Sequence, residues 1–279
     1  MRVRGLAKRL LFGATPFFRG RFRYYGQVVY FPLGSSTFEC ACEEGIYERD
    51  ATNLILALAK PGTTYFDVGA NIGLLSVPVL SICPTVKVVS IEASPDTLPF
   101  LRKTQLRAQR SSNWVVIGAA VAAKAGEAEF WSGGGAMDAF GGLRDTGRGG
   151  RKRVVRVAVR TLDDIWREQG CPPVSIVKID IEGGEYQALR GAKELISQAS
   201  PTFIIEWNDQ NFTAYGVKAD ELLSLCEELS YKLYACPSLI PVGTQAILKM
   251  AMTQTETFIL VPPESRGLAC QPFLTSPAC

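Results

Sequence analysis

Residues 64–73 read TYFDVGANIG, and this stretch decides the fold. It predicts a buried strand, then a glycine-rich turn, and then a helix that begins near Ile72. A turn of this kind brings backbone N–H groups close to a ligand, because glycine lacks the side chain that would block the approach. We therefore expect the turn to hold part of a small-molecule cofactor.

The next predicted strand ends in an acid. Val86 to Ile91 is strand-like, and Glu92 follows it directly. An acid at the tip of the second strand of a βαβ unit is placed to accept hydrogen bonds from the hydroxyls of a ribose. The two features together predict a nucleoside-containing cofactor bound to a Rossmann-like sheet.

The glycine spacing separates two classes of cofactor. A dinucleotide fingerprint reads G-x-G-x-x-G. Here Gly69 and Gly73 have Asn71 between them, and Asp67 lies two residues ahead. A carboxylate beside the turn repels a pyrophosphate but attracts the sulfonium and ammonium groups of S-adenosylmethionine. The pattern therefore favours S-adenosylmethionine over NAD, and the remaining alternative is a tight turn that binds no ligand.

The composition excludes several kinds of chemistry. The 279 residues are 47% hydrophobic and 20% charged, which fits one large α/β domain with an extension or two small domains. The chain has no histidine, so Ser-His-Asp and Cys-His catalysis are excluded. Its eight cysteines form no C-x-x-C pair, which argues against a zinc site and favours a reducing compartment.

The N-terminal stretch is basic and aromatic. Seven basic residues precede the first acid, Glu39, although the net charge of the whole chain is only +3. Such a segment lies on an anionic membrane surface, covers a substrate, or is a solvated lead-in. No apolar run is long enough to cross a bilayer. We expect a cytoplasmic protein, peripheral to a membrane surface if the first alternative holds, and we expect residues 1–25 to be dispensable for cofactor binding.

The rest of the chain alternates strands and helices. We predict a hairpin from residues 27–31 and 37–42, a continuous strand over residues 114–121, and a continuous helix over residues 185–198. The glycine-rich residues 133–151 predict a surface loop. The alternation predicts an α/β fold with a mainly parallel sheet and helices on both faces.

Four motifs occur in order, at residues 66–73 (FDVGANIG), 90–95 (SIEASP), 160–164 (RTLDD) and 177–185 (VKIDIEGGE). With these motifs the chain resembles the FkbM-type family of S-adenosylmethionine-dependent methyltransferases. The resemblance implies a Rossmann-like class I methyltransferase fold with a seven-stranded, mainly parallel sheet. It predicts three parts of the chain: an N-terminal extension over residues 1–42, a methyltransferase domain over residues 43–262, and a C-terminal tail over residues 263–279.

The resemblance also implies the activity and the cofactor. We expect O-methylation of a hydroxyl on a sugar, glycan, lipid or natural-product acceptor, with S-adenosylmethionine as the methyl donor. The chain departs from the family at residues 119–124, which lack the small polar or acidic side chain often found there. Backbone groups and apolar contacts are therefore expected to hold the adenine. The residues predicted to bind the cofactor are Asp67, Gly69, Ala70, Asn71, Gly73, Glu92, Ala93, Ser94, Ala120 and Asp180.

The charged residues at the ends of the fourth and fifth strands are the candidates for catalysis. Methyl transfer is an in-line displacement, and a hydroxyl acceptor must also lose a proton, which a carboxylate or a deprotonated lysine can take. The predicted catalytic residues are Lys178, Asp180, Glu182 and Glu206. A divalent metal on the three acids is an alternative, but their spacing matches no closed ligand set, so we predict no metal.

Three other acids are given structural roles. Asp163 and Asp164 open a helix that Thr161 caps, and Glu185 lies in the first turn of the next helix. Acids in these positions complement the helix dipole.

Three other functions are alternatives. An NAD-dependent oxidoreductase requires a third glycine that the turn lacks. A nucleic-acid methyltransferase is favoured by five arginines between residues 144 and 156, but the small net charge and the lack of a base-flipping motif argue against it. A non-catalytic protein with a cofactor fold is disfavoured by the complete set of acids.

Overall fold

Most of the buried strands predicted from the sequence form one large sheet, and two smaller sheets accompany it. The protein is described from a computed structural model that covers residues 20–133, 138–148 and 150–263. Residues 1–19 of the predicted extension and residues 264–279 of the predicted tail lie outside the described residues.

The strands differ in length from two to eight residues. In chain order they are β1 (Arg21–Tyr24), β2 (Gln27–Tyr30), β3 (Thr64–Val68), β4 (Lys87–Ile91), β5 (Trp114–Ile117), β6 (Ala120–Val121), β7 (Gly126–Ser132), β8 (Arg153–Arg160), β9 (Val174–Ile179), β10 (Thr202–Glu206), β11 (Lys232–Ala235), β12 (Ile240–Pro241) and β13 (Thr257–Val261).

The helices are short. In chain order they are α1 (Ser36–Glu44), α2 (Arg49–Leu58), α3 (Ser76–Ile82), α4 (Leu98–Arg107), α5 (Leu162–Glu168), α6 (Glu185–Arg190), α7 (Lys193–Ala199), α8 (Asp209–Ala214), α9 (Glu221–Glu228) and α10 (Gln245–Met252). Among the described residues, none of these helices has the length and the apolar character needed to span a membrane.

The main sheet has the strand order β12-β11-β13-β10-β9-β3-β4-β5. Strands β10, β9, β3, β4 and β5 run parallel, whereas β13 is antiparallel to both of its neighbours. The predicted seven-stranded, mainly parallel sheet is therefore confirmed, and the two-residue β12 adds an eighth strand at its edge. Pro241 suits this edge position, because proline has no N–H to donate to a further strand.

Both faces of the sheet are covered by helices, as predicted. Successive residues of β3 point to opposite faces. Tyr65 packs with side chains of α1 to α4, and Phe66 packs with side chains of α5 to α10. Strand β9 is consequently buried along its whole length, which explains its nearly continuous apolar sequence.

The predicted second strand of the N-terminal hairpin is wrong. Residues 37–42 lie in α1, and β2 pairs instead with β1, where Tyr24 lies opposite Gln27. The helix begins at this point because the hydroxyl of Ser35 accepts a hydrogen bond of 3.1 Å from the N–H of Phe38. A short apolar run fits a strand and a helix equally well, so periodicity could not decide between them.

The hairpin and α1 pack against the rest of the molecule. The rings of Phe22, Phe31 and Phe38 contact one another. The N–H of Tyr30 donates a hydrogen bond of 2.9 Å to the hydroxyl of Thr104 in α4. The described part of the predicted extension therefore contributes to the same core as the sheet.

The continuous strand predicted over residues 114–121 is divided between two sheets. Its first half is β5 of the main sheet, and its second half, β6, belongs to a three-stranded sheet of order β6-β8-β7. The division falls at Gly118, where a Cβ atom would lie 2.7 Å from the side chain of Leu98. The predicted loop connects β7 to β8 and lies near the carboxyl ends of the main strands.

The helix predicted over residues 185–198 is broken at Gly191. A Cβ atom at this position would lie 2.4 Å from the carbonyl oxygen of Ala122, so the two segments are too close for any side chain. The carboxylate of Asp163 then accepts hydrogen bonds of 3.1 and 2.9 Å from N–H groups in the first turn of α7. Asp163 therefore caps α7, whereas the sequence assigned it to the start of its own helix.

Candidate active site

The carboxyl ends of β3, β4 and β9 meet at one edge of the sheet, where a cleft opens. The cleft is partly open to solvent. Seven of the ten predicted cofactor residues line it: Gly69, Asn71, Glu92, Ala93, Ser94, Ala120 and Asp180. The parallel strands thus bring together residues that are far apart in the sequence.

The glycine turn is pressed against the chain that follows β9. Gly69 has a φ of +82°, and a Cβ atom there would lie only 1.8 Å from the carbonyl oxygen of Asp180. The N–H groups of Gly69 and Ala70 donate hydrogen bonds of 2.9 and 3.0 Å to the carbonyl of Ile91. The turn is therefore fixed where three strands end, and only glycine permits this close approach.

Three predicted cofactor residues do not line the cleft: Asp67, Ala70 and Gly73. The carboxylate of Asp67 is buried and accepts a hydrogen bond from the hydroxyl of Ser76, the first residue of α3, and burial raises its pKa. A Cβ atom at Gly73 would lie 2.9 Å from the side chain of Leu101. These residues shape the turn, and the structure does not support the interpretation of Asp67 as the acid that faces the cofactor.

Glu92 lies in the wall of the cleft, as predicted. It is buried, and its two carboxylate oxygens accept hydrogen bonds of 2.6 Å from the N–H of Asn71 and 2.7 Å from the N–H of Ser94. Burial raises the pKa of Glu92 to about 7, although these N–H donors oppose the shift. Each carboxylate oxygen can accept more than one hydrogen bond, so Glu92 can also accept hydrogen bonds from the hydroxyls of a ribose.

Residues 138–143 of the loop between β7 and β8 contribute to the lining of the cleft, and they include a residue that the sequence did not point to, Asp138. The carboxylate of Asp138 accepts hydrogen bonds of 3.1 and 2.7 Å from the N–H and the hydroxyl of Ser36, and another from the hydroxyl of Ser35. Its backbone carbonyl accepts a hydrogen bond of 2.8 Å from the side-chain amide of Asn71. Asp138 therefore connects the start of α1 to Asn71 of the glycine turn.

The wall beside β6 is apolar. Ala119, Ala120 and Val121 line it together with Phe130. This is the region where the sequence departs from the family, and its apolar character agrees with the expectation that hydrophobic contacts hold the adenine.

Lys178 is buried between two carboxylates. Its Nζ lies 3.0 Å from Oδ2 of Asp180 and 3.9 Å from Oε2 of Glu48. Burial by itself lowers the pKa of Lys178, but the two carboxylates raise it above its usual value. These contacts favour the protonated form of Lys178, which disfavours a deprotonated lysine as the base and suits Lys178 to hold Asp180 ionised.

The remaining acids form a cluster with Arg148. Nη1 of Arg148 lies 3.2 Å from Oε2 of Glu182 and 3.6 Å from Oε1 of Glu206. The side-chain amides of Asn211 and Asn208 donate hydrogen bonds of 2.8 Å to Glu182 and Glu206, respectively. The structure thus brings all four predicted catalytic residues to one place, and it adds an arginine from the loop.

The three acids of the cluster differ in their affinity for protons. Burial would raise the pKa of Asp180, but the charge of Lys178 lowers it below its usual value. Burial, reinforced by Asp180, raises the pKa of Glu182 to about 7 and that of Glu206 well above its usual value. Asp180 is therefore the acid that is most fully ionised near neutral pH.

Glu185 braces the turn between β9 and α6. Its carboxylate accepts hydrogen bonds of 2.8 Å from the N–H of Ile181 and 3.3 Å from the N–H of Gly183, which has a φ of +104°. Glu185 lies in the first turn of α6, as predicted, but its side chain bonds the preceding turn. It thereby fixes the chain on which Glu182 is carried.

Comparison with known protein families identifies the chain. Residues 67–233, which make up more than half of it, match the family described as the methyltransferase FkbM domain. The chain belongs to the FkbM methyltransferase family. This match confirms the resemblance inferred from the four motifs, whereas no curated protein matches the chain.

Several solved structures are similar to this FkbM chain. The FkbM methyltransferase from Methylobacillus flagellatus is 16% identical, with a TM-score of 0.45, and the match covers 80% of this chain and 53% of that one, so this chain spans about half its length. The CcbJ methyltransferase from Streptomyces caelestis is 11% identical, with a TM-score of 0.43 and coverage of 76% and 87%. An S-adenosylmethionine-dependent O-methyltransferase from Thermotoga maritima is 12% identical, with a TM-score of 0.39 and coverage of 78% and 66%. Because these identities and scores are low, the fold assignment rests on the strand order and the family match.

The cleft fits S-adenosylmethionine, the cofactor of this family. Glu92 offers an acceptor for ribose hydroxyls at the tip of β4, and Asp180 contributes a carboxylate to the lining of the same cleft. The absence of a side chain at Gly69 leaves room for the backbone of Asp180, which brings this residue to the turn at the edge of the cleft.

Replacing Glu92 with Gln should weaken the binding of S-adenosylmethionine. Loss of hydrogen bonds to a charged acceptor costs about 1.5–3 kcal/mol, which is roughly a tenfold or greater loss of affinity. Because the pKa of Glu92 is about 7, the affinity of the unmodified protein should also fall as the pH is lowered from about 8 to 6, and the variant should lack this dependence. Calorimetric titration measures both effects, with the exposed Glu127→Gln as control. Equal affinity and equal pH dependence in both proteins would refute the assignment.

Replacing Asp138 with Asn should loosen α1 and weaken cofactor binding together. An amide cannot accept hydrogen bonds at both ends, so part of the cap is lost, at about 0.5–2 kcal/mol. Hydrogen exchange should show faster exchange of the first amides of α1, and titration should show lower affinity for S-adenosylmethionine. Asp145→Asn, a half-exposed acid of the same loop, is the matched control. If α1 loosens and the affinity does not change, the two sites are independent.

Proposed function

We propose that this FkbM methyltransferase transfers the methyl group of S-adenosylmethionine to a hydroxyl of a sugar, glycan, lipid or natural-product acceptor. The observation that carries the proposal is the position of Asp180. Its backbone carbonyl contacts the cofactor turn at Gly69, and its side chain belongs to the acid cluster at the cleft. Asp180 therefore belongs both to the wall of the cleft beside the glycine turn and to the acid cluster that we propose to face the acceptor.

The chain's own residues have two tasks in this reaction. The cofactor, when bound, supplies a methyl group on a positively charged sulfur, which is a good leaving group. Asp180 is held ionised by Lys178, and it can therefore accept a hydrogen bond from an acceptor hydroxyl, orient it and take its proton. Orientation of the two reactants is worth about 7–11 kcal/mol in favourable cases.

Three of the five arginines between residues 144 and 156 give little support to a nucleic-acid substrate. Arg148 contacts Glu182 and Glu206, and Arg153 and Arg156 pair with Asp96 and Glu127. Arginines that are paired with acids offer less charge to a phosphate backbone. This observation favours a small hydroxylated acceptor over the nucleic-acid alternative.

Replacing Asp180 with Asn should lower turnover by roughly 10²-fold or more, the usual scale for the loss of a general base. Turnover is measured by mass spectrometry of methylated products from a panel of sugars, glycolipids and natural products. Circular dichroism checks that the variant is folded. Asp164→Asn, on the surface of α5 and paired with Arg167, is the control and should keep full turnover. Turnover of Asp180→Asn near that of the unmodified protein would remove Asp180 from the mechanism and favour Glu182 or Glu206.

The basic N-terminus is proposed to bind an anionic surface, either a membrane or the acceptor. Residues 1–19 lie outside the described residues, and Arg21 and Arg23 are exposed on β1. The other two residues of β1, Phe22 and Tyr24, are buried. The hydroxyl of Tyr24 accepts a hydrogen bond from the N–H of Tyr47. The predicted dispensable segment of residues 1–25 therefore includes two core side chains, and its boundary must move to Gly20.

A chain that begins at Gly20 should bind S-adenosylmethionine normally and lose salt-sensitive binding to anionic liposomes. Each cation near an anionic surface contributes about 1 kcal/mol, screened by salt. A chain that begins at Gly26 should instead melt at a lower temperature, because it also loses Phe22 and Tyr24. Liposome sedimentation and thermal unfolding measure the two effects. Equal liposome binding by the full chain and the Gly20 chain at low salt would mean that the segment is only a solvated lead-in.

A further inference from the structure

Three carboxylates from two neighbouring strands converge at the mouth of the cleft. Asp180 and Glu182 follow β9, and Glu206 ends β10. One oxygen of each carboxylate lies within 4.8 Å of one oxygen of each of the others. Hard divalent cations hold oxygen ligands at about 2.0–2.6 Å, so two ligands on opposite sides of one cation are roughly 4–5 Å apart. The three oxygens therefore fall within the span of a single cation.

The charges around these carboxylates do not balance. Three acids face two cations, Lys178 and Arg148, and a fourth acid, Glu48, shares Lys178. Carboxylates collected at this density repel one another unless they take up protons or bind further positive charge. The cluster consequently has the electrostatics of a site for a cation.

The two cations differ in how firmly they are held. Lys178 projects from a core strand and its side chain is 3% exposed, whereas the side chain of Arg148 is 25% exposed and comes from the loop. Arg148 also has a second partner, because its guanidinium lies 5.0 Å from the centre of the Phe140 ring. A stronger cation can therefore displace Arg148 from the acids without leaving it unpartnered.

An unpartnered oxygen beside the acids is a second and independent observation. Asn211 is 3% exposed, and Nδ2 of its amide lies 2.8 Å from Oε2 of Glu182. The other atom of the same amide, Oδ1, is buried without a hydrogen-bond partner among the described residues. A buried acceptor without a partner is unfavourable, because it has lost its hydrogen bonds to water. When a cation occupies the cluster, a half-turn of the amide gives up the hydrogen bond from Nδ2 to Glu182 and turns the oxygen towards the acids, where it can serve as a fourth ligand.

We propose that Asp180, Glu182, Glu206 and the side-chain oxygen of Asn211 bind one hard divalent cation of the Mg²⁺, Mn²⁺ or Ca²⁺ class in the place of the Arg148 guanidinium. Oxygen ligands of this kind are those that such cations prefer. This replaces the expectation of no metal, which rested on spacing along the chain alone. In a six-coordinate site four protein oxygens leave two positions, and these suit two neighbouring hydroxyls of the acceptor, a point that rests on the proposed function.

The binding of Mn²⁺ alone to the full chain, followed by electron paramagnetic resonance without cofactor or acceptor, tests the site. We expect one Mn²⁺ per chain, displaced by Mg²⁺ or Ca²⁺. Glu206→Gln and Glu182→Gln should each weaken binding by about tenfold or more, because each removes a charged ligand. Arg148→Gln should strengthen it by about tenfold, because it removes the competing cation. Glu194→Gln and Arg156→Gln, on exposed pairs elsewhere, are charge-matched controls and should bind as the unmodified chain does.

Two outcomes would overturn the proposal. In the first, neither the unmodified chain nor Arg148→Gln binds Mn²⁺ saturably, which would make the cluster a closed network of ion pairs. In the second, Mn²⁺ binds, but its affinity is the same for the unmodified chain and for Glu182→Gln, Glu206→Gln and Arg148→Gln. Thermal unfolding shows which variants are folded, and Arg148→Gln leaves every ligand in place. Because no methyl transfer is measured, failure here leaves the proposed methyltransferase function untouched.

Discussion

The close contact between the glycine turn and the chain after β9 is the constraint on which the rest of the site depends. A side chain at Gly69 would overlap the carbonyl of Asp180, and the N–H of Asp180 donates a hydrogen bond of 3.0 Å to the carbonyl of Val68. The ends of β3 and β9 are therefore locked together at the level of the backbone. This lock places the cofactor wall and the acid cluster side by side, so that neither can move without the other.

The fold could be predicted because it depends on patterns that are local in the sequence. The strand at residues 64–68, the acid at Glu92 and the buried run of β9 each carry their own signal, and together they fix the parallel sheet. The errors arose where tertiary contacts decide. The helix that holds residues 37–42 begins where Asp138, far along the chain, binds Ser36 beside the local Ser35 cap. The helix after Glu185 breaks because the chain at Gly191 passes too close to a neighbouring segment.

The sequence predicted which residues form the candidate site better than it predicted their hydrogen bonds and protonation states. Sequence motifs placed Asp180 and Glu206 at strand ends, but the direction in which Asp67 points and the proton held by Lys178 depend on their neighbours. Asp138 was missed because a single acid in a glycine-rich loop has no periodicity. The run of Ser35, Ser36 and Thr37, which forms the start of α1, was the signal that could have suggested an acid as its partner.

The position of Asp138 has a thermodynamic consequence. Its carboxylate holds the start of α1, and its backbone holds Asn71 beside the cleft. Two binding events that share one ordered element are coupled, and the coupling is reciprocal. A surface that binds the hairpin and thereby stabilises α1 would raise the affinity of the cleft for its ligand. The ligand would in turn raise the affinity of the hairpin for that surface by the same factor. Binding at the hairpin and α1 would then strengthen binding at the glycine turn, and binding at the turn would strengthen binding at the hairpin.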